Sequence, residues 1–363
     1  MKKAIFVITS LDSGGIENYL LRFLRHLENE IEPIVICRGN HFGELEKEYL
    51  KIKHIKLVKI DLTKFRIKSY YELYLYLKKN KEFSFVDFTG AYSGILLLLA
   101  NLAGLKKRIL FFRGSSHDFE PTFLKLIFVN FLKYLGKINA TQVLSNSKAA
   151  LNFYFPKRNV NDSKFKVIYN GIDAEMMNFE KYNKETFNIP VNSFVIGHTG
   201  RYDKAKNHAT IIKIAEKICT KYENVYFVLC GKNTEVFLKK QIDENKVLRE
   251  KVKLLGYRND VSNILTMLDL YLFPSITEGQ PNSLIEAMVA KLPIVASNID
   301  PILETTPSFF HQELIAPLDV DSFVNRIEEY YLDDSKRENA DLSEWAINQF
   351  SADKLFKEFC LEL

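Results

Sequence analysis

The segment Phe273-Pro-Ser-Ile-Thr-Glu278-Gly279-Gln280-Pro281-Asn282-Ser283-Leu284-Ile-Glu286 follows an apolar, β-rich run and opens an amphipathic stretch. Two carboxylates and a glycine therefore meet where a strand gives way to a helix. A helix N-terminus carries unpaired N–H groups and a partial positive charge, which together bind phosphate. Gly279 lets a ligand approach the main chain. In this reading the amides of Ser283 and Leu284 donate to phosphate, and Glu286, one turn further in, hydrogen-bonds sugar hydroxyls. A folding role competes for Glu286, because Ser283-x-x-Glu286 also spells a capping box. For Glu278 the plain alternative is a solvated turn.

Three other loops carry comparable chemistry. Thr199-Gly200-Arg201-Tyr-Asp-Lys204-Ala-Lys206-Asn207 follows the apolar run Phe194–His198. Its guanidinium and ammonium can neutralise a departing nucleotide diphosphate in place of a divalent metal; the alternative is a basic surface turn before a helix capped by Asn207. Ser10-Leu-Asp-Ser-Gly14-Gly15-Ile-Glu17 offers paired glycines for close approach to a phosphate or sugar, but lacks the G-x-G-x-x-G of a dinucleotide site. Phe111-Phe-Arg113-Gly-Ser-Ser-His117-Asp118 places a histidine after another apolar run, where a structural role competes with a functional one.

The elements that would position these loops alternate regularly. Apolar runs at Ala4–Thr9, Ile34–Cys37, Ile55–Ile60, Phe85–Phe88, Ile109–Phe112, Ala140–Leu144 and Lys166–Tyr169 read as strands, and Ile16–Leu27, Phe42–Leu50 and Ser69–Lys79 as intervening helices. The rhythm restarts with Phe194–His198 and a helix at Asn207–Lys221. It continues through strands at Val225–Cys230, Val252–Leu255, Leu270–Phe273, Ile294–Ser297 and Glu313–Ile315. Such alternation predicts right-handed βαβ units, hence an α/β protein of two doubly wound, Rossmann-like domains facing across a cleft. The boundary falls at Tyr169–Ala174, giving domains 1–170 and 171–350, with a C-terminal helix, 351–363, expected to join the first. Ligands in such sheets bind beyond the carboxyl ends of the strands, where all four loops lie.

The 363 residues exceed one ordinary core, and a 47% hydrophobic share without low-complexity tracts fits a globular chain. Cys37, Cys219, Cys230 and Cys360 form no C-x-x-C pair, so neither a disulfide framework nor a zinc site is indicated and a cytoplasmic setting fits. The apolar stretch at the N-terminus is too short for a signal peptide, and no run is long enough for a transmembrane helix. Residues 1–170 hold 28 Lys/Arg against 15 Asp/Glu, a net +13, whereas 171–363 hold 22 against 30, a net −8. A basic half of this kind attracts anionic lipid, a diphosphate-bearing acceptor or nucleic acid. Within it Phe119–Lys137 interleaves aromatics with lysines, as either an amphipathic membrane-surface helix or an ordinary core-facing one.

In combination and in order, SGGIENYLLRF, RGSSHDF, LSNSKAALNFY, VIYNGID, GRYDKAKNHATII, LLGYRNDV and PSITEGQPNSLIEAMVAKLPIVAS resemble the retaining GT-B-fold glycosyltransferases of the family 4 / group 1 type. That family includes bacterial capsule, O-antigen and exopolysaccharide enzymes. The resemblance implies that Arg201 and Lys206 hold the donor diphosphate, Glu286 the ribose, and Glu278 with the Gly279–Asn282 backbone the transferred sugar. It implies that His117 faces that sugar, that Gly14 and Gly15 close over the donor, and that Tyr257 and Arg258 flank the nucleobase. It further implies metal-independent transfer with retention from a nucleotide-sugar donor, UDP favoured, with no cofactor. The implied acceptor is a glycan or polyprenyl-diphosphate-linked glycan at the inner face of an anionic membrane, and no nucleic acid is involved. Gln280 departs from the aromatic or small residue common at its position, so the donor sugar does not carry over by analogy. Two other classes stay open from the residues alone: a dinucleotide-dependent oxidoreductase, opposed by the missing G-x-G-x-x-G, and a nucleic-acid-binding module using the basic half.

Overall fold

The computed structural model describes residues 1–39, 41–62, 66–114, 122–175, 177 and 179–363. They divide into two compact units, Met1–Gly171 with Ala352–Leu363, and Ile172–Ser351. The first holds strands β1 (Lys2–Ile8), β2 (Ile31–Cys37), β3 (Lys56–Lys59), β4 (Ser84–Asp87), β5 (Arg108–Phe112), β6 (Gln142–Ser145) and β7 (Phe165–Val167). They pair in the order β3-β2-β1-β4-β5-β6-β7, every pair parallel. The second holds β8 (Phe194–Thr199), β9 (Val225–Cys230), β10 (Val252–Gly256), β11 (Leu270–Phe273) and β12 (Ile294–Ala296), in the order β10-β9-β8-β11-β12, again all parallel.

Parallel strands covered by helices on both faces need apolar side chains on both, so they read as unbroken hydrophobic runs. Ala4 through Ile8 and the whole of β11 are buried accordingly. In each sheet the order reverses beside the first strand, between β1 and β4 and between β8 and β11. Crossovers leave to opposite sides at such a point and open a crevice at the carboxyl ends. The Gly14-Gly15 loop follows β1; the Arg201–Lys206 loop follows β8 and the Glu278 loop follows β11.

Two expected elements differ. The helix anticipated over Phe42–Leu50 shrinks to Glu46–Tyr49. Gly43, at φ +126, breaks regular backbone ahead of it, and the Phe42 carbonyl and Leu45 amide pair instead with Leu11. The strand anticipated at Glu313–Ile315 is a single bridge from Ile315 to Ser297, because a 3₁₀ helix, Ser308–Glu313, consumes the preceding residues.

The C-terminal helix, Ala352–Glu362, belongs to the first unit's core. Phe359 is fully buried, its ring 4.7 Å from Phe23, 5.2 Å from Phe111 and 6.5 Å from Phe6, so one side chain joins this helix to the helix Gly15–His26 and to β5 and β1. Phe359→Ala removes that junction and is expected to destabilise the protein by about 3–5 kcal/mol, measured as a lowered midpoint in urea denaturation.

Candidate functional site

In the second unit the loops after β8 and β11 are tied together before any charged group is considered. Asn207, left-handed at φ 56, donates from its side-chain amide to the carbonyls of Pro274 (3.0 Å) and Pro317 (2.8 Å). The Ile276 amide donates to the Ala205 carbonyl at 2.8 Å. Asp203 accepts from the Ala205 amide at 2.9 Å and starts the 3₁₀ turn Lys204–Lys206. That turn aims Lys206 across to the neighbouring loop, where its Nζ donates to Glu278 Oε1 at 2.8 Å. The ammonium also lies 4.9 Å from the Phe273 ring centroid, and the two side chains are only 17% and 11% exposed. Lys206 and Glu278, given separate roles from the sequence, are one ion pair.

The helix Asn282–Val289 begins beside this pair. Pro281 is its N-cap and no side chain caps it, so Ser283-x-x-Glu286 is not a capping box: Ser283 already lies inside the first turn. Of the two amides expected to meet phosphate, that of Leu284 donates to the Pro281 carbonyl at 3.0 Å, as does that of Ile285 at 3.2 Å, because the proline carbonyl turns into the helix. The Ser283 amide has no acceptor among the described residues. Glu286 is half-buried on the same helix, Gln280 and Pro281 are buried, and Gly279 and Asn282 are partly covered.

Arg201 projects outward, its side chain 70% exposed and 3.4 Å from Asp203. Gly231, after β9, lets the chain pass directly over its root: a Cβ there would stand 2.0 Å from the Gly200 carbonyl oxygen and 2.8 Å from the Arg201 amide nitrogen. The Tyr202 amide donates to the Lys232 carbonyl at 2.8 Å, completing the seam. At the next strand end Arg258 is already committed. Its guanidinium donates to Asp260 at 2.8 and 2.5 Å, and Tyr182 donates to the same carboxylate. These bonds hold Asp260 down at about 2 and push Arg258 above the ordinary arginine range. Tyr257 presents the exposed ring of the two.

Sequence reasoning missed what lies beneath. His198 and His208 are buried, with ring centroids 5.3 Å apart, and His198 Nδ1 bonds the Leu272 carbonyl at 3.0 Å. Burial first, then nearby positive charge, pushes His198 well below the usual imidazole value and His208 down to about 4. Tyr271, fully buried on β11, places its hydroxyl 2.7 Å from Thr199 Oγ1. Within a run such as LDLYLFPS nothing in its spacing marks it. Gly231 was the more legible omission, a glycine directly after a strand.

In the first unit Gly14 is the N-cap of the helix Gly15–His26, and its carbonyl accepts from the Asn18 amide at 3.0 Å and the Asn18 side chain at 2.9 Å. A Cβ on Gly14 would stand 2.5 Å from Glu17 Oε2. Arg113 is half-buried, its guanidinium 3.5 Å from the Tyr19 ring centroid and donating to Asn170. Burial lowers it to about 10, so it stays cationic at neutral pH. His117 lies outside the described residues. One Asp-x-Asp spacing exists, Asp319-Val320-Asp321, but Asp319 accepts from the Ser322 amide at 3.0 Å to start a helix and Asp321 pairs with Lys217. Among the described residues no three His, Cys, Asp or Glu side chains converge.

The chain matches two family models: Glycosyltransferase Family 4 over residues 13–176 and Glycosyl transferases group 1 over residues 179–345. The chain belongs to the GT-B glycosyltransferases. It is similar to the capsular polysaccharide biosynthesis glycosyltransferase CapH of Staphylococcus aureus, 28% identical, covering 87% of this chain and 88% of the relative. It is also 28% identical to the Escherichia coli UDP-Gal:alpha-D-GlcNAc-diphosphoundecaprenol alpha-1,3-galactosyltransferase, over 72% of this chain and 69% of that one. Among solved structures, Anabaena HepE in complex with UDP and glucose superposes with a TM-score of 0.80 at 18% identity, over 99% of this glycosyltransferase and 98% of that chain. S. aureus TarM, in complex with fondaparinux, alpha-GlcNAc-glycerol and UDP, does so at 0.74 and 14%, over 100% and 99%.

The buried histidines give the glycosyltransferase a pH signature. His208 takes up a proton near its ordinary 6.5 when unfolded but only at about 4 when native. Its contribution is therefore complete above pH 6.5 and lost as pH falls toward 4, about 3 kcal/mol in all, with His198 acting in the same direction. Asp260 titrates too low to enter this window. Between pH 7.5 and 4.5 the wild type is expected to lose about 2–3 kcal/mol more stability than His208→Gln, measured by urea denaturation at the two pH values.

Proposed function

We propose that this glycosyltransferase transfers a sugar from a UDP-sugar donor, with retention and without a metal ion, to a hydroxyl of a polyprenyl-diphosphate-linked glycan in surface polysaccharide biosynthesis. The observation that carries the reading is the Lys206–Glu278 pair at a sheet's switch point, beside the unengaged Ser283 amide. The lysine and the amide suit a diphosphate, and the carboxylate suits sugar hydroxyls. The glycosyltransferase likeness to an enzyme named for UDP-Gal and a lipid-diphosphate acceptor, and to a structure solved with UDP, supports the choice of donor and acceptor.

In this mechanism the acceptor hydroxyl oxygen attacks the anomeric carbon from the face the nucleotide leaves. The bond from that carbon to the phosphate oxygen breaks with its electron pair passing to the diphosphate. A phosphate oxygen takes the hydroxyl proton, and an α-configured donor gives an α-linked product. Arg201, Lys206 and the Ser283 amide stabilise the leaving charge, each such donor contributing about 3 kcal/mol. Glu278 aligns Lys206 before the donor arrives and orients the sugar; Glu286 takes the ribose and Tyr257 the base.

The helix Phe123–Asn139 in the basic first unit supports a membrane-bound acceptor. Val129, Leu132 and Gly136 face inward, and Gly94 lets the neighbouring helix close in, since a Cβ there would stand 2.2 Å from the Leu132 carbonyl oxygen. The opposite face exposes Phe123, Leu124, Ile127, Phe128, Phe131 and Tyr134, each at least 51% accessible, with Lys125 and Lys133 on the same helix. Apolar residues on one face with lysines beside them fit the boundary of an anionic leaflet. Among the described residues no helix is long and apolar enough to cross a membrane.

Lys206→Ala and Glu278→Ala are each expected to lower transfer from UDP-sugars by at least about 100-fold with an unchanged circular dichroism spectrum, and activity is expected to persist in EDTA. Near-wild-type turnover in both variants, or loss in chelator restored by manganese, rejects the mechanism. Phe128→Asp/Phe131→Asp is expected to abolish sedimentation with phosphatidylglycerol vesicles at low salt while leaving UDP affinity unchanged.

A further inference from the structure

We infer that Asn207 is a positioning residue of the donor site: its side-chain amide sets the separation at which Lys206 and Glu278 meet, and so governs diphosphate binding without touching the ligand; this rests on the donor-site reading above. Asn207 is buried and stands at the N-cap position of the helix His208–Lys221, where an asparagine side chain ordinarily accepts from an amide of the first turn. Here it caps none of them. The amide is turned away from the helix instead. Its Nδ2 donates to the Pro274 and Pro317 carbonyls at 3.0 and 2.8 Å, and its Oδ1 accepts from the Thr210 hydroxyl at 2.9 Å. Carbonyls only accept, so the amide has a single satisfied orientation, with its nitrogen toward the two prolines. The left-handed backbone, φ 56 and ψ 42, does not call for this side chain, because glycine takes the same conformation at less cost.

The effect of these bonds comes from where the two carbonyls lie. Pro274 directly follows β11 and precedes Glu278 by four residues, while Lys206 is the immediate neighbour of Asn207. Between them the Ile276 amide bonds the Ala205 carbonyl at 2.8 Å, so residue numbers fall from 207 to 205 along one loop as they rise from 274 to 276 along the other. The loops therefore run antiparallel, fastened at two rungs, and the 2.8 Å contact of Lys206 with Glu278 forms beside those rungs. Ser275, next to Pro274, is held in turn, its carbonyl accepting from the Ser297 hydroxyl at 2.6 Å. Pro317 belongs to a third segment, the approach to the helix Val320–Leu332, so one amide fixes the cationic loop against two supports. Two flexible side chains stay paired over a range of loop separations, whereas groups that must meet a diphosphate are matched to within about half an ångström. A fully bonded, buried amide supplies that tolerance.

The test is nucleotide binding by calorimetry, with UDP, or with GDP where the wild type binds it more tightly. Asn207→Gly keeps the left-handed backbone and loses the amide; Asn207→Asp keeps the shape and turns carboxylate oxygens toward two carbonyls. Each is expected to weaken nucleotide binding about tenfold with an unchanged circular dichroism spectrum. In a Lys206→Ala background, Asn207→Gly is expected to change the affinity less than twofold, because the group it positions is gone. Affinity within twofold of wild type in both single variants, or an equal loss with and without Lys206, gives Asn207 a purely structural role and overturns the inference. If Asn207→Asp fails to fold, Asn207→Gly decides by the same two criteria. A wild-type protein that binds neither UDP nor GDP overturns the donor-site reading itself, an outcome distinct from wild-type binding that the variants leave intact.

Discussion

Lys206 and Glu278 meet at a nearly dry strand end. A partly buried charge without a partner loses its hydration with nothing in return and tends to draw its loop out into water. Each side chain of the pair answers the other's charge and keeps both loops in. Around it the backbone is built to hold one separation: Asn207 takes a left-handed conformation to reach two proline carbonyls, Ala205 receives an amide from the facing loop, and Gly231 gives up a side chain so that a third loop can close behind. The surroundings are kept neutral on the same side, since the two histidines below are held uncharged and leave the lysine as the local positive charge.

A site arranged this way is charged before its ligand arrives. In the proposed donor site a diphosphate would not have to assemble its cations against their own repulsion, because Lys206 is already placed and partly compensated. Arg201 would be the movable complement there, its side chain mostly in water while that of Lys206 is held by Glu278. The Arg258–Asp260–Tyr182 cluster does for the next loop what the lysine pair does here, spending charges on each other so that the loop's shape persists in the absence of any base.

The sheets were legible in the sequence because parallel strands buried on both faces leave continuous apolar runs, as at Val225–Cys230 and Leu270–Phe273, which the structure reproduces to the residue. The Phe42–Leu50 helix was misread because periodicity does not register a carbonyl borrowed by another loop. Residue types marked Arg201, Lys206, Glu278 and Glu286, since charged side chains after buried strands have few folding uses. What spacing could not reveal was pairing across 72 residues, nor that Pro281 would claim the Leu284 amide while leaving that of Ser283 unengaged. Tyr271 was hidden for the opposite reason: an aromatic within an apolar run is what a core residue looks like, and only the contacts of its hydroxyl separate it from its neighbours.

The aromatic cluster around Phe359 has a bearing on the order in which the molecule is made. Residues emerging early from a ribosome, Phe6, Tyr19 and Phe23, have their ring partners on a helix synthesised more than 300 residues later. The second unit, contiguous in sequence, can close its core while the first still lacks a wall. The first sheet therefore spends most of synthesis with an unsealed apolar face, a substrate for chaperones, and the closing event is a long-range one whose rate is set by topology rather than by local preference.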